Sequence, residues 1–307
     1  MATIISVTLT NLYNPPGWLD AEVVDWSSSQ IEIEHSYGSA AFQGYGFAWN
    51  PANETWSGTA TYYAEYDLQG YTTIELKDFS LPAWLFQYEW QVVFDEMLAG
   101  PDTIVLGGAS DDIVFARGGD DLIYSHRGSK YIDGGSGIDT VIYESRSDDY
   151  SVTRSADSLF VQGFGSNDRL VSVERIDFSD RILAFDDNTA QMYRLYQAAF
   201  DRTPDTAGLS YWVAEADAGV SLLQAANNFR GSAEFRDLYG PNPTNDEFID
   251  LLYLNVLNRG ADQGGYDYWN GRMAAGLSEG EVLVEFSQSQ ENVTNTQAAL
   301  WDGVWLV

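Results

Sequence analysis

The sequence predicts a multidomain α+β chain. Residues 1–97 read as an N-terminal antiparallel β domain, 98–142 as a short parallel β segment built from repeats, 143–187 as a β cap, and 188–307 as an all-α domain. Three observations predict this order. The first third alternates apolar and polar residues with period two, the middle repeats every nine residues, and the last third is an internal duplication.

At 307 residues the chain can bury a substantial core, and 45 % hydrophobic content points to globular folding. The net charge is −31, from 46 acidic and 15 basic residues. That balance argues against nucleic acid or an anionic membrane as partner, since both attract clustered Lys and Arg. Cations are the favoured partners, because binding them relieves self-repulsion. Cysteine is absent, which removes disulfides and thiolate metal sites. His35 and His126 are the two histidines, too few for a multi-histidine zinc or iron centre. MATIISVTLTN lacks the basic start and apolar core of a cleavable signal peptide. No segment approaches the ~18 apolar residues that span a bilayer, so no transmembrane segment is expected.

In the N-terminal third, ISVTLTNLY, SQIEIEHSY, TATYYAEYDL and TTIELKDFSL alternate as antiparallel strands do, with Gly, Pro and Asn at the turns. LPAWLFQYEWQVVFDEML is expected to form a helix leading into the repeats. Lys77 is the one basic residue of this region, which is crowded with Trp18, Trp26, Trp49, Trp56, Trp84 and Trp90. Such aromatics either pack a sheet or offer a face to a glycan or a second subunit. Glu32 and Glu34 share one face of a strand, the ordinary pattern of an exposed edge rather than a catalytic carboxylate pair.

From Leu98 the chain can be written in nines: LAGPDTIVL, GGASDDIVF, ARGGDDLIY, SHRGSKYID, GGSGIDTVI. The eighth place is apolar throughout (Val105, Val114, Ile123, Ile132, Val141). The sixth reads Thr103, Asp112, Asp121, Lys130, Asp139. Glycines let the backbone turn sharply and expose carbonyl oxygens. Aspartate adds a hard charged oxygen of the kind calcium selects. The short apolar run that follows makes a strand whose inward residue stacks on its equivalents.

These residues resemble the RTX calcium-binding repeats of proteins exported by bacterial type I secretion. The resemblance implies a parallel β-roll in which each full turn takes two nonapeptides, placing ions between units 18 residues apart. Asp121 and Asp139 are the pair in which both units keep the aspartate, so the best site is expected there, with Asp120 beside it. Backbone carbonyls around Gly118–Asp121 and Gly134–Gly137 would contribute, Gly118, Gly135 and Gly137 among them. Asp112 faces Lys130, whose ammonium is expected to take part of a calcium's place and pair with Asp112. Thr103 weakens the first turn, with Asp102 adjacent as a substitute. A few ions are expected, on the order of one to three, rather than a long array. Without calcium the repelling carboxylates and flexible turns should be disordered, so that binding is folding.

Residues 143–187 continue in strands and end in VERIDFSD (Val173–Asp180), similar to the cap that follows such repeats; Asp148 is a poor ligand there because its unit lacks the glycines. Beyond it, residues recur at a period of 57: Tyr196 and Tyr253, Arg202 and Arg259, Asp205 and Asp262, Gly208 and Gly265, Tyr211-Trp212 and Tyr268-Trp269, Ser221 and Ser278, Phe229 and Phe286, Glu234 and Glu291. Each copy reads as three helices, with Asp205/Asp262 and Ser221/Ser278 at N-caps. The arginines are expected to pair locally and the Tyr-Trp pairs to anchor packing. The pattern resembles the DUF4214 family, helical domains distantly like phycobilisome linkers and often found with RTX repeats; this implies protein contacts and names no reaction. The end, ALWDGVWLV, suits the uncleaved C-terminal signal of type I export.

There is no HExxH helix and no P-loop, so the sequence supports no enzyme assignment. The expected function is that of a secreted, non-catalytic calcium-binding protein at the cell surface or in an extracellular assembly (surface layer, matrix or adhesion). Its partners would be calcium and a second copy or a cell-surface molecule. The alternatives are a glycan-binding adhesin working through the N-terminal aromatics, and a small secreted toxin or bacteriocin.

Overall fold

The computed structural model describes residues 3–5, 22–27, 29–35, 38–50, 55–67, 72–82, 98–106 and 112–307. These divide into two compact units, Met1–Arg181 and Ile182–Val307. The chain thus combines β and α regions in the predicted order.

In the first unit, strands β1 (Thr3–Ile5), β2 (Glu22–Trp26), β3 (Gln30–His35), β4 (Gly38–Asn50), β5 (Thr55–Asp67) and β6 (Thr72–Pro82) form an antiparallel run in the order β1-β6-β5-β4-β3-β2. Strand β4 is hidden from simple alternation because its register against β5 slips twice, between Gln43 and Gly44 and between Tyr45 and Ala48. A bulge changes which face a side chain points to. Phe42 and Phe47, five residues apart, are therefore both buried while Tyr45 is exposed. Gly44 allows the bulge: a Cβ there would lie 1.9 Å from the Thr59 carbonyl oxygen.

Glu32 and Glu34 lie on β3, paired with Ala41 and Ser39. Trp26, Trp49 and Trp56 sit on β2, β4 and β5, but their side chains, and Trp18, Trp84 and Trp90 altogether, lie outside the described residues. So do ISVTLTNLY beyond Ile5 and residues 83–97 of the expected helix.

The repeats alternate between two sets of parallel strands. One set is β7 (Thr103–Val105), β9 (Leu122–Tyr124), β11 (Thr140–Tyr143) and β15 (Arg175–Phe178). The other is β8 (Asp112–Phe115), β10 (Lys130–Asp133) and β14 (Ser166–Val171), extended antiparallel by β13 (Leu159–Gly163) and β12 (Tyr150–Arg154). Strand β1 pairs antiparallel with β6 and parallel with β7, so backbone pairing runs across residue 97.

Strands β7 to β11 and β15 each place one apolar residue at full burial: Ile104, Val114, Ile123, Ile132, Val141 and Ile176. This corrects the predicted register in its first unit. Ile104, not Val105, pairs with Ile123, and Asp102, not Thr103, precedes it at the aspartate place. One extra residue separates the first unit from the second, and a one-residue slip exchanges the two faces of a strand. The chain follows the buried residue, not the count of nine.

The second unit holds eight helices among the described residues: α1 (Asp187–Phe200), α2 (Thr206–Asp217), α3 (Leu222–Arg230), α4 (Ala233–Tyr239), α5 (Asn245–Leu257), α6 (Gln263–Ala274), α7 (Glu279–Ser287) and α8 (Gln290–Leu300). Each copy of the duplication therefore has four helices rather than three. The apolar pattern runs on through the predicted third helix, but Ser232 and Ser289 break it by capping a new N-terminus, accepting from the amides of Phe235 and Asn292. Strands β16 (Ile182–Ala184) and β17 (Val304–Leu306) pair antiparallel, so the apolar end of ALWDGVWLV is folded with Leu306 buried.

Among the described residues no helix is long and apolar enough to cross a membrane.

Candidate metal centre

Register brings Asp102, Asp121, Asp139 and Glu174 side by side at the entry of β7, β9, β11 and β15. Their acidic groups form a ladder. The main-chain N–H of Asp102 donates to Asp121 Oδ1 at 2.7 Å, that of Asp121 to Asp139 Oδ1 at 2.9 Å, and that of Asp139 to Glu174 Oε2 at 3.0 Å. Each carboxylate thus satisfies an amide of the turn before it.

At Asp121 and Asp139 the other carboxylate oxygen is left over. Asp121 and Asp139 are 0 % exposed, and the Oδ2 of each is buried without a hydrogen-bond partner. An ionised carboxylate buried in this way costs several kcal/mol unless a cation or a proton meets it. Accordingly burial pushes Asp121 up to about 8 and Asp139 up to about 6, and neighbouring carboxylates add to both shifts.

The turns beside the ladder stack closely. Gly119 N–H donates to the Ser136 carbonyl at 2.8 Å, and Ser136 N–H to the Arg117 carbonyl at 3.0 Å. Gly135 and Gly137 have φ of +98° and +134°, and a Cβ on them would fall 2.0 Å from the Arg117 oxygen and 2.1 Å from the Gly119 oxygen. Gly118 is buried and bridged to Ser136. Asp120 is exposed and accepts the Ile138 N–H at 2.8 Å. A hard cation fits this donor set: buried carboxylate oxygens with no partner, and carbonyl-bearing turns where only glycine can sit. Among the described residues no three Asp, Glu, His or Cys side chains converge on a single point.

The second set of strands is built differently. Asp112 pairs with Lys130 in backbone register, and its side chain lies outside the described residues. Lys130 is 3 % exposed, and its ammonium donates to the Arg127 carbonyl at 2.7 Å. The next rung is Asp168 on β14, which accepts Lys130 N–H at 3.0 Å, Ser125 Oγ–H at 2.9 Å and Tyr143 O–H at 2.7 Å. Burial raises the Asp168 carboxyl, while these donors and the Lys130 charge pull it back. Asp148, 18 residues after Lys130, stands instead in a 3-10 turn and pairs with Arg181.

Asp168 and Glu174 escape the nine-residue register because the β12–β13 hairpin intervenes. The only trace of Glu174 in the sequence is VERIDFSD, and Asp168 leaves none.

The helical unit assigns the duplicated polar residues to its own architecture. Asp205 and Asp262 cap α2 and α6 through the amides of Gly208 and Gly265. Arg202 pairs with Glu234 and Arg259 with Glu291, each at 2.7 Å. Trp212 and Trp269 pack on Phe229 and Phe286, whereas Tyr211 and Tyr268 are exposed. Gly276-Leu277-Ser278-Glu279-Gly280 has the GxSxG spacing of a nucleophile elbow, but Ser278 is an N-cap that follows a helix. Its Oγ lies 2.6 Å from Glu281 and accepts that residue's amide.

No curated protein matches. Among solved structures, the extracellular lipase LipA from Serratia marcescens aligns at 22% identity over 26% of this chain and 13% of that one, with a TM-score of 0.25. The chain therefore spans 13% of that protein's length. Residues 226–296 match the family described as "Domain of unknown function (DUF4214)", and this chain carries that domain in its helical unit.

Proposed function

We propose that the chain is a secreted, non-catalytic calcium-binding protein of the RTX class, acting at the cell surface or in an extracellular assembly. In this reading residues 98–142 form a short β-roll that completes its folding when calcium arrives. The observation that carries it is the pair of fully buried Asp121 and Asp139 carboxylates, each with an oxygen that no protein donor meets. Two such groups 18 residues apart, beside turns that require glycine, are costly when empty and favourable around a hard cation. The acidic composition supports the same direction, since cation uptake lowers self-repulsion. Export before calcium uptake follows as a working expectation: the segment stays extended where free calcium is scarce and folds where it is plentiful.

Calcium titration of the full chain, followed by circular dichroism and by sizing, tests this. Gain of β signal with calcium and its loss with chelator are expected. Unchanged signal and size in chelator would overturn the reading. Calcium-dependent growth in size supports assembly. A monomer retained on glycan beads would point to the adhesin instead.

A further inference from the structure

We propose that the seam between the last repeat turn and the cap forms a divalent-cation site of its own, held by Asp139, the main-chain carbonyl of Ser172 and Glu174. This rests on the calcium reading above and extends it beyond the repeats.

The first observation is positional. Glu174 completes the ladder that Asp121 and Asp139 begin, receiving the Asp139 amide at 3.0 Å as they receive the amides before them. It does so from outside the nine-residue register, 35 residues beyond Asp139 and across the hairpin of β12 and β13. The amides of Glu174 and Arg175 in turn both donate to the Asp139 carbonyl. The two turns are thus tied together from both sides.

The second observation concerns the oxygens at Gly134. Ser172 adopts a φ of +48°, a left-handed conformation that a serine rarely takes, and its carbonyl oxygen lies against Gly134. A Cβ on Gly134 would lie 2.3 Å from that oxygen and 2.4 Å from Asp139 Oδ2. The two oxygens are therefore within about 5 Å of each other, the span that one ion bridges with bonds of about 2.3–2.6 Å. Asp139 Oδ2 is the buried atom without a partner. A strained carbonyl and an unmet carboxylate oxygen meet where glycine leaves room, with a second carboxylate on the same turn. Oxygen-only donors select a hard divalent ion. Binding there would fasten the cap to the repeats, so that capping and ion uptake become one event.

The test is a count of calcium ions per full-length chain by equilibrium dialysis, for the unaltered chain, Glu174→Gln and Asp121→Asn. Glu174→Gln keeps an acceptor for the Asp139 amide and removes the charge. It is expected to lose one class of calcium or to weaken it at least tenfold, with the remaining ions unchanged. Full, unweakened uptake by Glu174→Gln alongside reduced uptake by Asp121→Asn overturns the seam site and leaves the repeat reading standing. No uptake by the unaltered chain overturns both. If Glu174→Gln loses the calcium-loaded β signal, Glu174→Asp decides instead. It keeps the charge on a shorter arm, so selective weakening of one ion supports the site and unchanged affinity for every ion overturns it.

Discussion

The main-chain amide of Lys130 donates to Asp168 Oδ1 at 3.0 Å, the same relation that joins Asp121 to Asp139 on the other set of strands. The resemblance ends with the charges around it. On one side the carboxylates keep unmet oxygens; on the other, Ser125 and Tyr143 fill them and a buried ammonium stands by. The two sides of the repeat segment therefore have different needs. One leaves buried carboxylate oxygens without a donor, and the other holds a buried cation of its own in Lys130.

Replacing that internal cation should expose the difference. Lys130→Met removes the buried donor to the Arg127 carbonyl and a charge that favours ionised Asp168, and is expected to lower stability by about 1–3 kcal/mol in urea unfolding of the calcium-loaded chain. Lys130→Asp restores the repeat's own residue and is expected to take up additional calcium in dialysis. An unchanged count would show that Lys130 does not stand in for an ion.

The turn glycines should rank by what their missing Cβ would strike. Gly137→Ala places a methyl group 2.1 Å from the Gly119 oxygen at a φ of +134°, so backbone must move. A loss of about 3 kcal/mol or more is expected, from strain plus displaced turns. Gly219→Ala, at φ +95° with nothing within 4 Å, should cost only about 1 kcal/mol. Thermal unfolding of both variants in calcium makes the comparison. Equal losses would remove the stacked turns as the cause.

What was legible in the sequence was local. The buried residue and the aspartate two places before it recur because each turn solves the same packing problem, so Asp121/Ile123 and Asp139/Val141 can be read from the letters alone. The extra residue after Ile104 blurs that count, and only strand pairing reveals that Asp102 and Ile104 hold the first places. Asp168 and Glu174 owe their roles to strands that return after a hairpin, a contact no nine-residue window contains. In the helical unit, Arg202 and Arg259 each find a glutamate 32 residues away, which the duplication signals by repetition and not by proximity. The extra helix of each copy was hidden because a capping serine looks like any other serine.

The duplication itself makes a quantitative prediction. Asp205 and Asp262 accept amide hydrogen bonds at 2.8 and 2.9 Å from equivalent glycines. Asp205→Ala and Asp262→Ala should each cost about 1 kcal/mol, the usual worth of an N-cap. The Asp205 loss should be the larger, because this carboxylate also accepts the Tyr196 hydroxyl at 2.9 Å. Thermal unfolding followed by helical circular dichroism measures both, and neither variant should alter calcium uptake. A change in uptake would give the caps a role that the fold does not.

The pH dependence of the calcium-free chain follows from the ladder. Burial raises Asp139 to about 6 and Asp121 to about 8, above the ~3.9 of an unfolded aspartate. A folded state that holds protons more tightly than the unfolded one is favoured in acid. The contribution is full below about pH 4 and is lost as pH rises through 6 towards 8. In chelator the β signal should therefore be strongest near pH 4 and fall away towards pH 8, where the calcium-free segment is disordered. General charge repulsion acts in the same direction, so the double variant Asp121→Asn/Asp139→Asn separates the two. It should flatten the curve in chelator and restore β signal at pH 8, while losing calcium uptake. In the unaltered chain saturating calcium should flatten the curve instead, and uptake near pH 6 should release protons, on the order of one to two per chain. Calorimetry in buffers of different ionisation enthalpy counts them. If the double variant keeps the steep fall, the repulsion is spread over the surface and the two buried carboxylates are not its source.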